Sequence, residues 1–137
     1  MTTDIRWKQR FDNFDRAVTL LREPIEQGVE NLSDLEKEGA VHRFELVLEL
    51  AWKTLKDYLE YLGTSVKPVT PRTVIKEAFA AQILTDGQVW IDMLNHRNLL
   101  SHTYDKAAYE EAVLAIRDKY LSQIVQLRRL LKEKESE

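Results

Sequence analysis

Phe44-Glu45-Leu46-Val47-Leu48-Glu49-Leu50-Ala51-Trp52-Lys53-Thr54-Leu55-Lys56-Asp57-Tyr58-Leu59-Glu60-Tyr61-Leu62 admits one regular conformation. Phe44, Leu48, Ala51, Leu55, Tyr58 and Leu62 step by four and three, the spacing of one face of an α-helix. Leu46, Val47, Leu50 and Leu59 widen that face beyond what one neighbour would cover, so this helix is expected to pack on two partners. The signals before and after it agree. Ser33-Asp34-Leu35-Glu36 has the form of a capping box, and Gly63 suits the left-handed position that follows a helix.

The same reading extends in both directions. Phe11, Phe14, Val18, Leu21 and Ile25 form one stripe of a helix over about residues 5–27. Pro24 inside it lacks an amide donor and is expected to kink or end it. Downstream, Thr70-Pro71 pairs an N-cap with a first-turn proline ahead of Val74, Ile75, Ala78 and Phe79. Thr85-Asp86-Gly87-Gln88 starts another short helix, which carries Val89, Trp90, Met93 and Leu94. Asp105 is placed to cap a last helix striped by Tyr109, Val113, Ile116, Tyr120, Ile124, Leu127 and Leu131. Residues 132–137 are expected to fray. The prediction is all-α: an antiparallel up-and-down bundle of three long and two short helices, forming a single domain over residues 1–137. The broad face of the second helix, with Trp52 and Tyr61, also suggests burial against a second copy, and a homodimer is expected.

Composition excludes several classes. With 31% charged and 44% hydrophobic residues the chain is neither disordered nor membranous, and its 4 Gly and 3 Pro are too few for a turn-rich β fold. No apolar run approaches the ~20 residues of a membrane span. The N-terminal residues carry no apolar signal segment, so a cytoplasmic location is expected. The absence of Cys removes disulfides and thiolate chemistry. A net charge of −3 gives no general attraction for nucleic acid, so any RNA contact must come from a local basic site. Phosphate-binding glycine loops and paired-histidine metal motifs are missing, and neither a metal nor a cofactor is expected. Asp92 and His96, four apart, read best as a structural ion pair.

Chemistry concentrates in residues 95–105, Asn-His-Arg-Asn-Leu-Leu-Ser-His-Thr-Tyr-Asp, where a helix should be ending. On an unbroken helix Arg97 and His102 would point about 140° apart. If the helix unwinds near Ser101, the imidazole can swing toward the guanidinium. Arg can hold a phosphate through two parallel bonds, and His exchanges a proton near neutral pH. Asn98 can orient either, and Tyr104 offers a hydroxyl. The competing reading is a helix C-cap, in which Arg, Asn and His bond the last carbonyls. Spacing alone leaves the two level. Glu45 and Glu49, one turn apart on the second helix, either reach this segment or form surface pairs with Lys53 and Lys56. Ser101 can line the same cleft.

Arg97-x4-His102-x-Tyr104 resembles the R-x4-H-x-Y signature of HEPN proteins paired with minimal nucleotidyltransferases (MNT). Arg43 to Leu46, Glu49 to Leu59, Pro71-Arg72, Trp90 to Met93 and Arg97 to Asp105 are similar, in order, to the nucleotidyltransferase substrate-binding family. The resemblance implies a dimeric helical bundle whose two R-x4-H segments line a shared cleft for RNA or a nucleotide, and a small MNT partner. It also implies a toxin-like, metal-independent endoribonuclease. In it, Arg97 binds phosphate, His102 transfers a proton and Asn98 supports both. The partner would control the activity by transferring AMP to Tyr104. A second implied role is a non-catalytic subunit that presents a nucleotide to that partner. A plain helical scaffold is the third reading.

Overall fold

The computed structural model describes residues 3–103 and 105–137, and every regular element in them is helical. Helix α1 spans Thr3–Glu26, α2 Asp34–Tyr61, α3 Pro71–Ala80 and α4 Gly87–Leu100. Helix α5, Lys106–Ala115, passes through a π-helical turn at Ile116–Tyr120 into α6, Leu121–Glu135. A short 3-10 turn, Val29–Asn31, separates α1 from α2.

Local sequence explains the ends. At Ser33 both halves of the capping box form: its hydroxyl accepts from the Glu36 amide at 3.1 Å, and the Glu36 carboxylate accepts from the Ser33 amide at 2.8 Å. Gly63, at φ 92°, closes α2 in a Schellman motif, with Gly63 N donating to Glu60 O and Thr64 N to Leu59 O. Thr70 and Asp86 cap α3 and α4 through the amides three residues on, and Asp105 caps α5 through the Ala107 amide.

Ion pairs give the helix directions. Arg10 meets Asp57 and Arg6 meets Glu60, so α1 and α2 are antiparallel. Arg128 donates to Thr19 and also meets Asp15, while Lys132 further along α6 meets Asp15, so α6 is antiparallel to α1 as well. Lys37 meets Glu110 and Lys106 meets Asp34, so α2 and the α5–α6 rod run the same way. The α3–α4 hairpin packs against both and makes that return possible. Helix α2 touches α1, α3, α4 and α5, which accounts for its broad apolar face. Trp7, Phe11, Phe14, Phe44, Leu48 and Leu55 are buried at the centre.

Four expectations need correction. Pro24 does not end α1, which runs to Glu26; the Leu20 carbonyl, deprived of its i+4 amide, accepts a 2.7 Å bond from Arg43 Nη1 instead. Leu46 and Leu62 are 46% and 51% exposed, so these two positions of the expected α2 stripe lie outside the core of the single chain. Helix α6 continues to Glu135 rather than fraying at 132, with Leu131 buried and Lys132 paired to Asp15. Asp92 and His96 do not pair: Asp92 accepts from Gln88, and His96 Nδ1 lies 3.0 Å from the Tyr120 hydroxyl.

Candidate functional site at the end of helix α4

Helix α4 ends where the sequence turns polar. Ser101 is the C-cap, and its amide bonds the Arg97 carbonyl at 3.1 Å. The next two amides tighten the turn: His102 N donates to Leu99 O and Thr103 N to Leu100 O, both at 3.2 Å. Hydroxyls complete the set, Ser101 Oγ donating to Asn98 O at 2.8 Å and Thr103 Oγ1 to Leu99 O at 2.9 Å. All four terminal carbonyls, from Arg97 to Leu100, therefore have donors. None comes from the side chain of Arg97, Asn98 or His102. Serine and threonine cap this helix, which leaves those three side chains for something else. Ser101 is spent in the cap.

Arg97 lies at the junction of α4 and α2. Its Nη1 donates to Glu49 Oε2 at 3.2 Å and its Nη2 to Asn98 Oδ1 at 3.3 Å. Glu49 is itself held by three donors: Arg97, Trp52 Nε1 at 3.0 Å, and Lys53 Nζ at 3.1 Å. Burial works to raise the Glu49 carboxyl pKa. The bonds from Trp52 and Lys53 and the charges of Lys53 and Arg97 outweigh it and hold the group below its ordinary value. Glu49 thus stays an anion at neutral pH and fixes the guanidinium. Two of the five N–H donors of Arg97 are engaged by these neighbours, and the rest remain available among the described residues.

His102 is exposed on the turn after the helix, and its ring has no partner among the described residues. It makes no hydrogen bond to Arg97. Arg97, Asn98 and Glu49 come together, with His102 beyond them. Glu45 is half-buried and unpaired among the described residues. Of the two expected surface pairs, Glu49–Lys53 forms, while Lys56 turns to Glu60 at 3.1 Å. Tyr104 lies outside the described residues. Among those described, no group of three or more His, Asp or Glu gathers as a metal would require. Among the described residues no helix is long and apolar enough to cross a membrane.

Two contacts were not read from the sequence. Trp52, three residues from Glu49, steadies it; that spacing was legible. Arg72 Nη2 on α3 donates to Asn95 Oδ1 on α4 at 2.7 Å, a contact that only the tertiary register reveals.

Residues 9–133 match the family described as nucleotidyltransferase substrate binding protein like. The chain belongs to this family. The resemblance carried by Arg97 to Asp105 and by α2 is thereby confirmed. The nucleotidyltransferase substrate-binding fold also recurs in solved structures. A Thermus thermophilus protein is 29% identical, with a TM-score of 0.75 over 85% of this chain and 98% of the other. A Haemophilus influenzae protein, described as the fold of a substrate binding domain of a nucleotidyltransferase, is 23% identical with a TM-score of 0.63, over 96% and 99% of the two chains, and supports the fold alone. In sequence, "Probable ribonuclease HepT" of Haemophilus influenzae is 30% identical over 71 residues, 50% of this chain. The alignment spans about half the length of that curated relative, 49%.

Proposed function

We propose that this chain is a metal-independent endoribonuclease that works beside a small nucleotidyltransferase, with Arg97 and His102 as the working pair. The observation that carries the reading is the division of labour at the end of α4. Ser101 and Thr103 cap the helix, while Arg97 is held by Glu49 with donors to spare and His102 is unengaged. A fixed guanidinium binds a phosphodiester and stabilises the charge that develops on it. In the step proposed, the ribose 2′-oxygen bonds to phosphorus and the P–O5′ bond breaks. The 2′-hydroxyl gives up its proton and the leaving oxygen gains one. His102 carries out one of these transfers, and Asn98 steadies the guanidinium. Similarity to a probable ribonuclease supports this chemistry.

The chain is proposed to act as a homodimer with the two segments facing one cleft. Exposed Leu46, one turn from Glu49 on α2, supports an interface there. Control is proposed at Tyr104. Its hydroxyl would attack the α-phosphorus of ATP on the partner enzyme and expel pyrophosphate, leaving AMP beside Arg97. The family's own description favours a second reading, in which the same cleft only holds a nucleotide for the partner.

One experiment separates them. Purified chain is incubated with single-stranded RNA in excess chelator, alongside His102→Ala. The nuclease reading expects cleavage that falls by at least about 100-fold in the variant. Equal cleavage by both proteins removes His102 from the mechanism. ATP binding by calorimetry without any cleavage favours the second reading.

A further inference from the structure

We propose that the groove between α3 and α4 is a track for the stretch of single-stranded RNA adjoining the Arg97–His102 segment, an inference that rests on the nuclease reading above. The two helices are antiparallel. Arg72 near the start of α3 meets Asn95 at 2.7 Å, while Phe79 near its end lies against Gly87 at the start of α4. A Cβ at residue 87 would stand 2.9 Å from Phe79 Cγ, so the glycine lets the Phe79 side chain approach the helix start. Asn95 and Asn98, three apart, share a face of α4 that leads to the His102 turn. The groove therefore runs along α4 from Gly87 to Asn95, about 12 Å, and Asn98 continues its line toward the candidate site.

Its contents suit a polyanion with flat bases. At its far end lies a cavity of about 380 Å³ lined by Ile75, Lys76 and Phe79 of α3 and by Gly87, Gln88 and Ile91 of α4. Phe79 is a large apolar ring left 50% exposed, a stacking platform for a base of any identity. Arg72 bonds only a neutral amide, and Lys76 has no partner among the described residues. Asp86, which also lines this cavity, accepts the Val89 amide at 3.2 Å, and Asp92 accepts from Gln88 Nε2 at 2.8 Å; both stay anionic on the α4 side, so phosphate would be met from the α3 side, by Arg72 and Lys76. The larger cavity of about 520 Å³ between α1 and α6 contrasts with this. There Arg22 is matched by Glu26 at 2.9 Å and Arg117 by Asp118 at 2.7 Å, so two of its three arginines are already neutralised.

The test uses fluorescence anisotropy with 2′-O-methyl oligouridylates, which cannot cyclise, of three and twelve nucleotides over a range of KCl concentrations. For the dodecamer, Arg72→Gln is expected to reduce the slope of log affinity against log salt by about 0.7, one phosphate contact. Phe79→Ala is expected to weaken it about fivefold or more. Trimer affinity is expected to be unchanged in both, as is the circular dichroism spectrum, and Arg129→Gln in the other cavity is expected to leave both oligomers unaffected. Unchanged dodecamer binding in the two groove variants overturns the track and leaves the nuclease reading standing, provided that the unsubstituted chain still cleaves RNA. Equal loss for trimer and dodecamer also overturns it, because the variants then act on α4 itself. So does loss of nucleotidyltransferase association in Phe79→Ala with RNA binding intact, which makes the groove a protein-docking face. If the unsubstituted chain neither binds nor cleaves RNA, the nuclease reading fails and the track with it.

Discussion

If Arg97 binds phosphate as proposed, Glu49 governs how it does so. Its carboxylate both orients the guanidinium and partly neutralises it, 3.2 Å away. These effects oppose each other for an incoming phosphate. Replacing Glu49 by Gln keeps an acceptor but removes the charge. RNA should then bind more tightly, because nothing negative competes, and react more slowly, because the guanidinium is less well fixed. The expected result is a lower KM with a kcat reduced about tenfold. Steady-state cleavage of a short RNA measures it, and a KM that rises with kcat unchanged contradicts the role. A second single-residue effect lies at Pro24. The Leu20 carbonyl it leaves open is served by Arg43. Arg43→Met should cost about 0.5–1 kcal/mol, toward the low side because Leu20 is partly exposed. In a Pro24→Ala background, where the amide donor is restored, most of that cost should vanish. Urea denaturation of the four proteins tests the cycle. Pro24 was visible in the sequence as a break in the ladder; Arg43 as its remedy was not, because the pairing depends on how α1 and α2 are aligned.

Among the elements, helix starts and stops were legible because caps are local. Ser33, Thr70, Asp86 and Asp105 accept bonds from amides two or three residues on, so their chemistry is contained in a few consecutive letters. The π turn at Ile116–Tyr120 was not legible, since the apolar spacing passes through it without a gap. It presents Tyr120 to two neighbours at once. The ring stacks on Phe44 with centroids 5.5 Å apart, and the hydroxyl meets His96, which immediately precedes Arg97. With the imidazole neutral and its proton on Nε2, the phenol donates and Nδ1 accepts. Burial lowers the His96 pKa, only partly countered by Glu111. Protons then favour the unfolded chain, whose histidine titrates near its ordinary value of ~6.5. The contribution is full above about pH 6.5 and is lost as pH falls from there through the depressed folded value. The melting temperature should accordingly drop on acidification across that window, and His96→Gln should flatten that part of the curve. A curve of unchanged shape in the variant would assign the acid sensitivity to other groups.

At the scale of the whole molecule, the fold follows from three apolar stripes and the α3–α4 hairpin that lets α2 and the α5–α6 rod run in the same direction. Within one chain Arg97 and His102 make no bond to each other among the described residues. Arg97 faces α2 and is locked there, whereas His102 stands out on the turn with no bond to it. The sequence places these residues five apart with a helix end between them; that the turn leaves the imidazole unbonded to the guanidinium cannot be read from spacing. If the proposed homodimer sets His102 of one chain against Arg97 of the other, two-fold symmetry forms that contact twice. Light scattering should then give twice the 16.1 kDa of the chain. The sharper consequence is complementation. Arg97→Ala and His102→Ala proteins are each expected to be inactive. When they are unfolded together and refolded as an equal mixture, half the dimers pair unlike chains, and in each of these one of the two clefts holds an intact arginine and an intact histidine. Up to about a quarter of the unsubstituted activity should return. If Arg97 and His102 act within one chain, no mixture of the two recovers anything, and cleavage stays at the level of the separate variants.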